Sequence, residues 1–98
     1  MYFLLNKKYG GFSFSDEVLN FIKERDNYET IYEIESENFR DDDDIIQLYH
    51  QYGSERISGP HARLCLVQIP NTASDYSIEE YDGYEHIVYV VDGKLHWL

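Results

Sequence analysis

Residues 76–97, YSIEEYDGYEHIVYVVDGKLHW, decide the fold because they contain the pair Asp-Gly twice. Asp82-Gly83 and Asp92-Gly93 are each flanked by residues that favour β-strands, and Asp-Gly suits two-residue turns that need a positive φ. The pattern therefore predicts an antiparallel meander with strands at about 76–81, 84–91 and 94–97.

Two-residue turns also fix which side chains share each face of this meander. One face carries Tyr81, Tyr84, Val88, Val90, Leu95 and Trp97, and the other carries Ile78, Ile87, Tyr89 and Val91. Because both faces are largely apolar, we expect the strand 84–91 to be central and covered on both sides, with part of one face open to a partner. The same register opposes Glu80 and Glu85, so either the register slips or a positive group lies between these like charges.

The rest of the chain predicts two helices. Ser15 has the features of an N-cap, with two acids after it, and an apolar stripe continues to about Arg25. A second helix is predicted to begin near Asp42 and to end at Gly53, since apolar residues recur there at helical spacing and Asp is favoured at helix starts. The acidic run that contains Asp42 lacks the alternating ligands of a calcium loop, so capping is the preferred interpretation.

Further strands are predicted on both sides of the second helix. They cover the apolar run 2–5, the alternating segment 28–35 and the segment 62–69, with a polar connector at 54–61. With the meander, these elements predict a single α+β domain over 1–98 that contains an antiparallel sheet and two short helices.

The composition favours a protein partner over a nucleic acid or a membrane. The formal net charge is −11, and ten of the 98 residues are tyrosine. Binders of nucleic acid or of anionic membranes need basic surface, whereas an acidic surface suits a partner with a basic patch. Cys65 is the only cysteine, and no segment has the length of a signal or membrane-spanning sequence, so we expect a soluble, cytoplasmic protein.

No motif predicts a metal site, a cofactor or an enzymatic activity. The four histidines are scattered, and no serine lies in a nucleophile elbow. A metal-assisted hydrolase that uses the meander carboxylates is the weakest alternative. Its acid/base residues would be Glu79, Glu80, Asp82 and Glu85, with His86 nearby.

Five pieces of sequence occur in a specific order along nearly the whole chain. They are KYGGF at 8–12, SDE at 15–17, Arg40 before an acidic helix start that ends at Tyr52-Gly53, LCLVQIP at 64–70 and IEEYDGYE at 78–85. Through these pieces the chain resembles a family of small uncharacterised proteins encoded by tailed phages and large DNA viruses. The chain departs from the family pattern at Asp44, where Pro is expected, and at its C-terminus, where Lys94 or His96 stands in for a basic segment. The resemblance implies a viral origin and an accessory role inside an infected host cell, with counter-defence as one option.

Two functional hypotheses follow. The first is a protein-binding module that docks on a basic surface of a host or viral protein through Glu79, Glu80, Tyr81, Asp82, Tyr84 and Glu85. The second is a nucleotide-binding or sequestering protein, in which basic residues and glycines surround an anion stacked on a tyrosine or on Trp97. Its residues would be Lys7, Lys8, Gly10, Gly11, Arg40, Arg63 and Trp97. A homodimer formed through an uncovered face of the sheet is a further alternative.

Overall fold

The computed structural model describes residues 1–98. Along the chain, one strand precedes the helices and four strands follow them. The elements are β1 (Tyr2–Asn6), α1 (Asp16–Asp26), α2 (Asp43–Tyr52), α3 (Ser54–Ile57), β2 (Leu64–Gln68), β3 (Asp75–Tyr81), β4 (Tyr84–Val91) and β5 (Lys94–Trp97). They form two antiparallel sheets, β1-β2 and β3-β4-β5. The predicted α+β domain is confirmed, with two sheets and with a one-turn helix, α3, inside the predicted connector.

Both Asp-Gly corners form as predicted. Asp82 and Asp92 have φ values of 50° and 51°, and the glycines that follow have φ values of 86° and 74°. Because both residues of each corner have a positive φ, the flanking strands pair without a bulge. The register is the predicted one, and it includes the opposed pair Glu80 and Glu85.

The helix starts are also confirmed. The Ser15 hydroxyl accepts a hydrogen bond from the Val18 amide, and the Asp42 carboxylate accepts from the amides of Asp44 and Ile45. Gly53 follows α2 with a φ of 85°. Its ψ of 170° lies outside the left-handed helical region, which lets the chain turn directly into α3.

The predicted strand at 28–35 is wrong. The segment forms one 3₁₀ turn at Ile31–Glu33, and a second follows at Ser36–Phe39. A capping box closes the first turn, because the Glu33 carboxylate accepts the Thr30 amide at 2.9 Å. Local hydrogen bonds thus replace ladder bonds, and Tyr32, expected on a sheet face, is 92% exposed.

Strand β1 is the one that is covered on both faces. Leu4 belongs to a buried cluster with residues of α1, α2 and β2, whereas Phe3 and Leu5 pack with Ile69 and with Ile87 of β4. The expectation that β4 is covered on both sides is therefore wrong, although β4 is central in its sheet. Helices cover the far side of β1, whereas no helix or strand packs on the far side of the meander, where Tyr9 contacts only its end at Tyr84.

Candidate functional site

The uncovered side of the meander, here called the outer face, consists of outward-pointing side chains of β3, β4 and β5. Tyr81, Leu95 and Trp97 are 71%, 64% and 67% exposed. A shallow groove of about 390 Å³ runs between Trp97 and Glu79. By the observed register the outer face comprises Asp75, Ser77, Glu79, Tyr81, Tyr84, His86, Val88, Val90, Leu95 and Trp97.

The residues predicted to bind a protein partner are divided between the two faces of the sheet. Glu79 and Tyr81 are exposed on the outer face, and Asp82 is exposed in the adjoining corner. Glu80 points to the other side, and its Oε2 accepts the amide of Gly83 at 2.6 Å. Tyr84 lies at the end of the outer face, where its ring is half-buried and 5.4 Å from the ring of Tyr9.

Glu85, the last of the predicted set, is 94% buried and pairs with Arg40. Its two carboxylate oxygens accept from Nη1 and Nη2 of Arg40 at 3.1 and 3.0 Å. The backbone amide of Asn6 donates to the same carboxylate at 2.8 Å. Arg40 thus neutralises Glu85, one member of the opposed pair, and the register holds without a slip.

Asn6 is a fully buried polar residue that the sequence did not identify. Its amide nitrogen donates to the carbonyls of Lys8 and Gly83, both at 2.7 Å, and its Oδ1 accepts the Arg63 amide at 2.8 Å. Every polar atom of the side chain is therefore satisfied, and the Asn6 side chain joins β1 to the first corner of the meander and to the residue before β2. Asn6 continues the apolar run 2–5, and nothing in its local sequence signals this role.

A second concave surface, here called the basic groove, lies where the β1–α1 loop meets the segment between α2 and β2. It has a volume of about 860 Å³. The side chains of Lys7, Lys8 and Arg63 line it, together with the rings of Tyr9 and Tyr84. The remaining lining residues are Ser54, Glu55, Ser58, Gly59, Pro60 and Ala62.

The amine of Lys7 anchors one end of the basic groove. It donates to the carbonyls of Glu85 at 2.6 Å and of Leu98 at 3.2 Å, and it lies 5.4 Å from the centre of the Tyr84 ring. Burial lowers the pKa of Lys7, because desolvation penalises the charged amine, while Cys65 and Glu85 act in the opposite direction. Lys8 and Arg63 are exposed.

The residues predicted to bind a nucleotide are only partly brought together. Lys7, Lys8 and Arg63 converge on the basic groove, whereas Arg40 is held by Glu85 and Trp97 lies on the outer face.

Gly10 and Gly11 serve a packing role against the first corner of the meander. The Gly10 amide donates to the Asp82 carbonyl at 3.0 Å. A Cβ on Gly83 would lie only 2.1 Å from the Gly11 nitrogen, so the loop and the corner approach backbone to backbone. The Gly10 amide is therefore not free to hold a phosphate.

The carboxylates proposed for a metal-assisted hydrolase do not form one cluster. Glu79 and His86 face outward, while Glu80 and Glu85 lie on the opposite side of the sheet. No group of three or more His, Cys, Asp or Glu side chains is positioned to hold a metal ion.

None of the helices has both the length and the apolar character needed to cross a bilayer.

The chain matches no protein-family model, no curated protein and no solved structure.

Proposed function

We propose that the protein is a non-enzymatic binding module whose outer face docks on a basic, partly apolar surface of another protein. The observation that carries this proposal is the exposure of Tyr81, Leu95 and Trp97, each more than 60% accessible, on one face of one sheet. Tryptophan and tyrosine side chains such as Trp97 and Tyr81 are enriched among the residues that supply most of the binding energy in protein interfaces. Leu95 and Trp97 line one groove with Val88, and large apolar side chains exposed together on a small domain favour an interaction surface.

Charge indicates the kind of partner. None of the outward-facing positions carries Lys or Arg, whereas Asp75 and Glu79 face outward and Asp82 and Asp92 lie at the two corners. A partner with Lys or Arg around an apolar patch would match this arrangement and would be attracted over a distance. A second copy of the chain would bring the same acids together, so charge opposes a homodimer through this face.

The exposure of the side chains supports a smaller set of contact residues than the sequence pattern predicts. Glu79, Tyr81 and Asp82 are exposed at the outer face or its corner and are proposed to contact the partner, and Leu95 and Trp97 join them from β5. Glu85 is buried and stabilises the fold through Arg40, so it is not proposed to contact the partner.

The accessory role in an infected host cell, with a host or viral protein as the partner, is part of the same proposal. It rests on the resemblance of the sequence pattern to small viral proteins. The acidic outer face supports it, because an acidic docking surface fits a basic partner.

Affinity capture with matched variants tests the proposal. Wild-type protein, a Leu95→Ser/Trp97→Ser variant and a Tyr32→Ser control are used to capture proteins from infected-cell lysate. Tyr32 is a suitable control because it is 92% exposed and lies outside the meander. We expect a partner that wild type and control capture and the double variant does not.

Purified partner then allows a direct measurement at the outer face. Trp97 is the only tryptophan, so its emission should shift to the blue when a partner lacking tryptophan covers it. Affinity should fall steeply as salt rises, and Glu79→Gln should weaken binding more than the exposed control Glu24→Gln. Capture that is equal for all three proteins, or binding that salt does not change, would refute the docking model.

A further inference from the structure

We propose that the basic groove is a second binding site, which accepts a small phosphate-bearing aromatic molecule of the size of a nucleoside monophosphate. This site goes beyond the protein-docking function and does not depend on it. Its volume of about 860 Å³ lies within the range of small-molecule sites in proteins.

The distribution of positive charge supports an anionic ligand. The sequence has eight Lys and Arg side chains, and three of them, Arg25, Arg40 and Arg56, form salt bridges with carboxylates. Of the five without a carboxylate partner, three line this one groove. The Lys7 amine donates to backbone oxygens, while Lys8 and Arg63 are exposed, so the groove concentrates positive charge that no acidic side chain pairs, in a protein whose net charge is −11.

The net negative charge does not prevent such a site. Charges separated by more than about 8 Å are largely screened at physiological ionic strength, so the immediate surroundings decide. Glu55 is the only acidic side chain among the residues that line the groove.

The Arg63 guanidinium is suited to a phosphate group. One of its nitrogens, Nη2, donates to the Lys7 carbonyl at 3.0 Å, which orients the side chain. No carboxylate engages its other nitrogens, and a guanidinium binds phosphate with paired hydrogen bonds. Lys8 is exposed beside it and adds a second positive charge.

Two tyrosines favour an aromatic group on the ligand. The rings of Tyr9 and Tyr84 are 5.4 Å apart and tilted by 43°, and Tyr9 is 62% exposed. An exposed phenol ring beside a cationic cluster offers a stacking surface for a base whose phosphate is held by Lys8 and Arg63.

Calorimetric titration with adenosine 5′-monophosphate, adenosine and inorganic phosphate tests both halves of the proposal. The monophosphate should bind with a Kd below about 1 mM, and each of the other two probes should bind at least about tenfold more weakly. If adenosine binds as tightly as the monophosphate, the proposed anion site is wrong. If phosphate binds as tightly as the monophosphate, the proposed stacking on the tyrosines is wrong. If none of the three probes binds, the whole proposal is wrong.

Variants locate the site and separate binding from folding. Lys8→Ala and Arg63→Ala should each weaken monophosphate binding by about tenfold, while Lys23→Ala, an unpaired lysine on α1, should not change it. Glu55→Gln should tighten binding about twofold, a gain that a damaged fold would not produce. Lys7 is left intact because its amine holds the ends of β4 and β5.

The Leu95→Ser/Trp97→Ser variant distinguishes this site from the docking face. It should bind the monophosphate as tightly as wild type while losing its protein partner. Loss of monophosphate binding in that variant would place the ligand on the outer face and contradict the groove.

Discussion

Arg40 and Glu85 form a two-pronged, buried salt bridge between the segment that precedes α2 and the central strand of the meander. Both side chains are close to 90% buried, and the guanidinium also lies 4.6 Å from the centre of the Phe12 ring. The Arg40 Nη1 donates to the Leu4 carbonyl at 3.1 Å as well. This pair therefore ties the helical half of the molecule to β1 and to β4.

Glu85→Gln should destabilise the protein by about 3 kcal/mol, because the variant leaves the Arg40 guanidinium buried without a counter-charge. Urea unfolding followed by circular dichroism measures the loss. The matched control is Glu17→Gln, whose exposed bridge to Arg56 should contribute little. Equal losses of stability in the Glu85→Gln and Glu17→Gln variants would show that the buried salt bridge stabilises the fold no more than the exposed one.

Asn6→Ala should destabilise the protein by about 3 kcal/mol, since several buried partners lose their hydrogen bonds at once. The affected groups are the Arg63 amide and the carbonyls of Lys8 and Gly83. The exposed Asn20, on the surface of α1, provides the control, and Asn20→Ala should change stability by less than about 0.5 kcal/mol. A mild effect at Asn6 would mean that water replaces its contacts.

Gly83→Ala should be far more harmful than Gly93→Ala, although both glycines occupy the same position of an Asp-Gly corner. Each has a positive φ, which costs alanine about 1 kcal/mol. Only at Gly83 does the new Cβ also meet backbone, with the Gly11 nitrogen 2.1 Å away, whereas nothing lies within 4 Å of it at Gly93. Chemical unfolding of the two variants side by side gives the comparison, and similar losses would contradict the close approach.

Asp42 should make stability depend on pH in acid. The hydrogen bond from Arg25 is the main cause that holds the pKa of Asp42 below its ordinary value. A carboxylate with a lowered folded-state pKa stabilises fully above its unfolded pKa, and this stabilisation is lost as pH falls through the folded-state pKa. Wild type should therefore lose more stability than Asp42→Asn between about pH 5 and about pH 2.

The Asp42→Asn variant is a sharp comparison because asparagine caps a helix as well as aspartate does. The cap at the start of α2 is kept, and only the charge that faces Arg25 is removed. Parallel stability curves for the two proteins across the acid range would show that the Arg25 contact does not contribute.

Helix caps and tight turns were predictable because their signals act over a few residues. Ser15, Asp42 and the two Asp-Gly corners lie where the sequence placed them, and the meander register followed from the corners alone. The strand predicted at 28–35 is wrong because two local signals compete there. The alternation of residues is typical of a strand, whereas the capping box of Thr30 and Glu33 favours the 3₁₀ turn that forms.

The candidate binding surfaces were predictable only in part. The sequence placed Tyr81, Leu95 and Trp97 on one face of the meander, and all three side chains are exposed there. It also singled out Lys7, Lys8 and Arg63 as basic residues that could converge, but it grouped them with Arg40, which the fold buries against Glu85.

By itself the sequence determined the meander, the starts of both long helices and the acidic, tyrosine-rich character of the surface, because backbone preference and charge are properties of neighbouring residues. Only the tertiary structure decided which polar groups are buried and which basic residues stay free. Asn6 meets Glu85 across 79 positions of the chain, and Arg40 meets it across 45. Such contacts depend on the packing of β1 between the helices and the meander, and no local pattern encodes them.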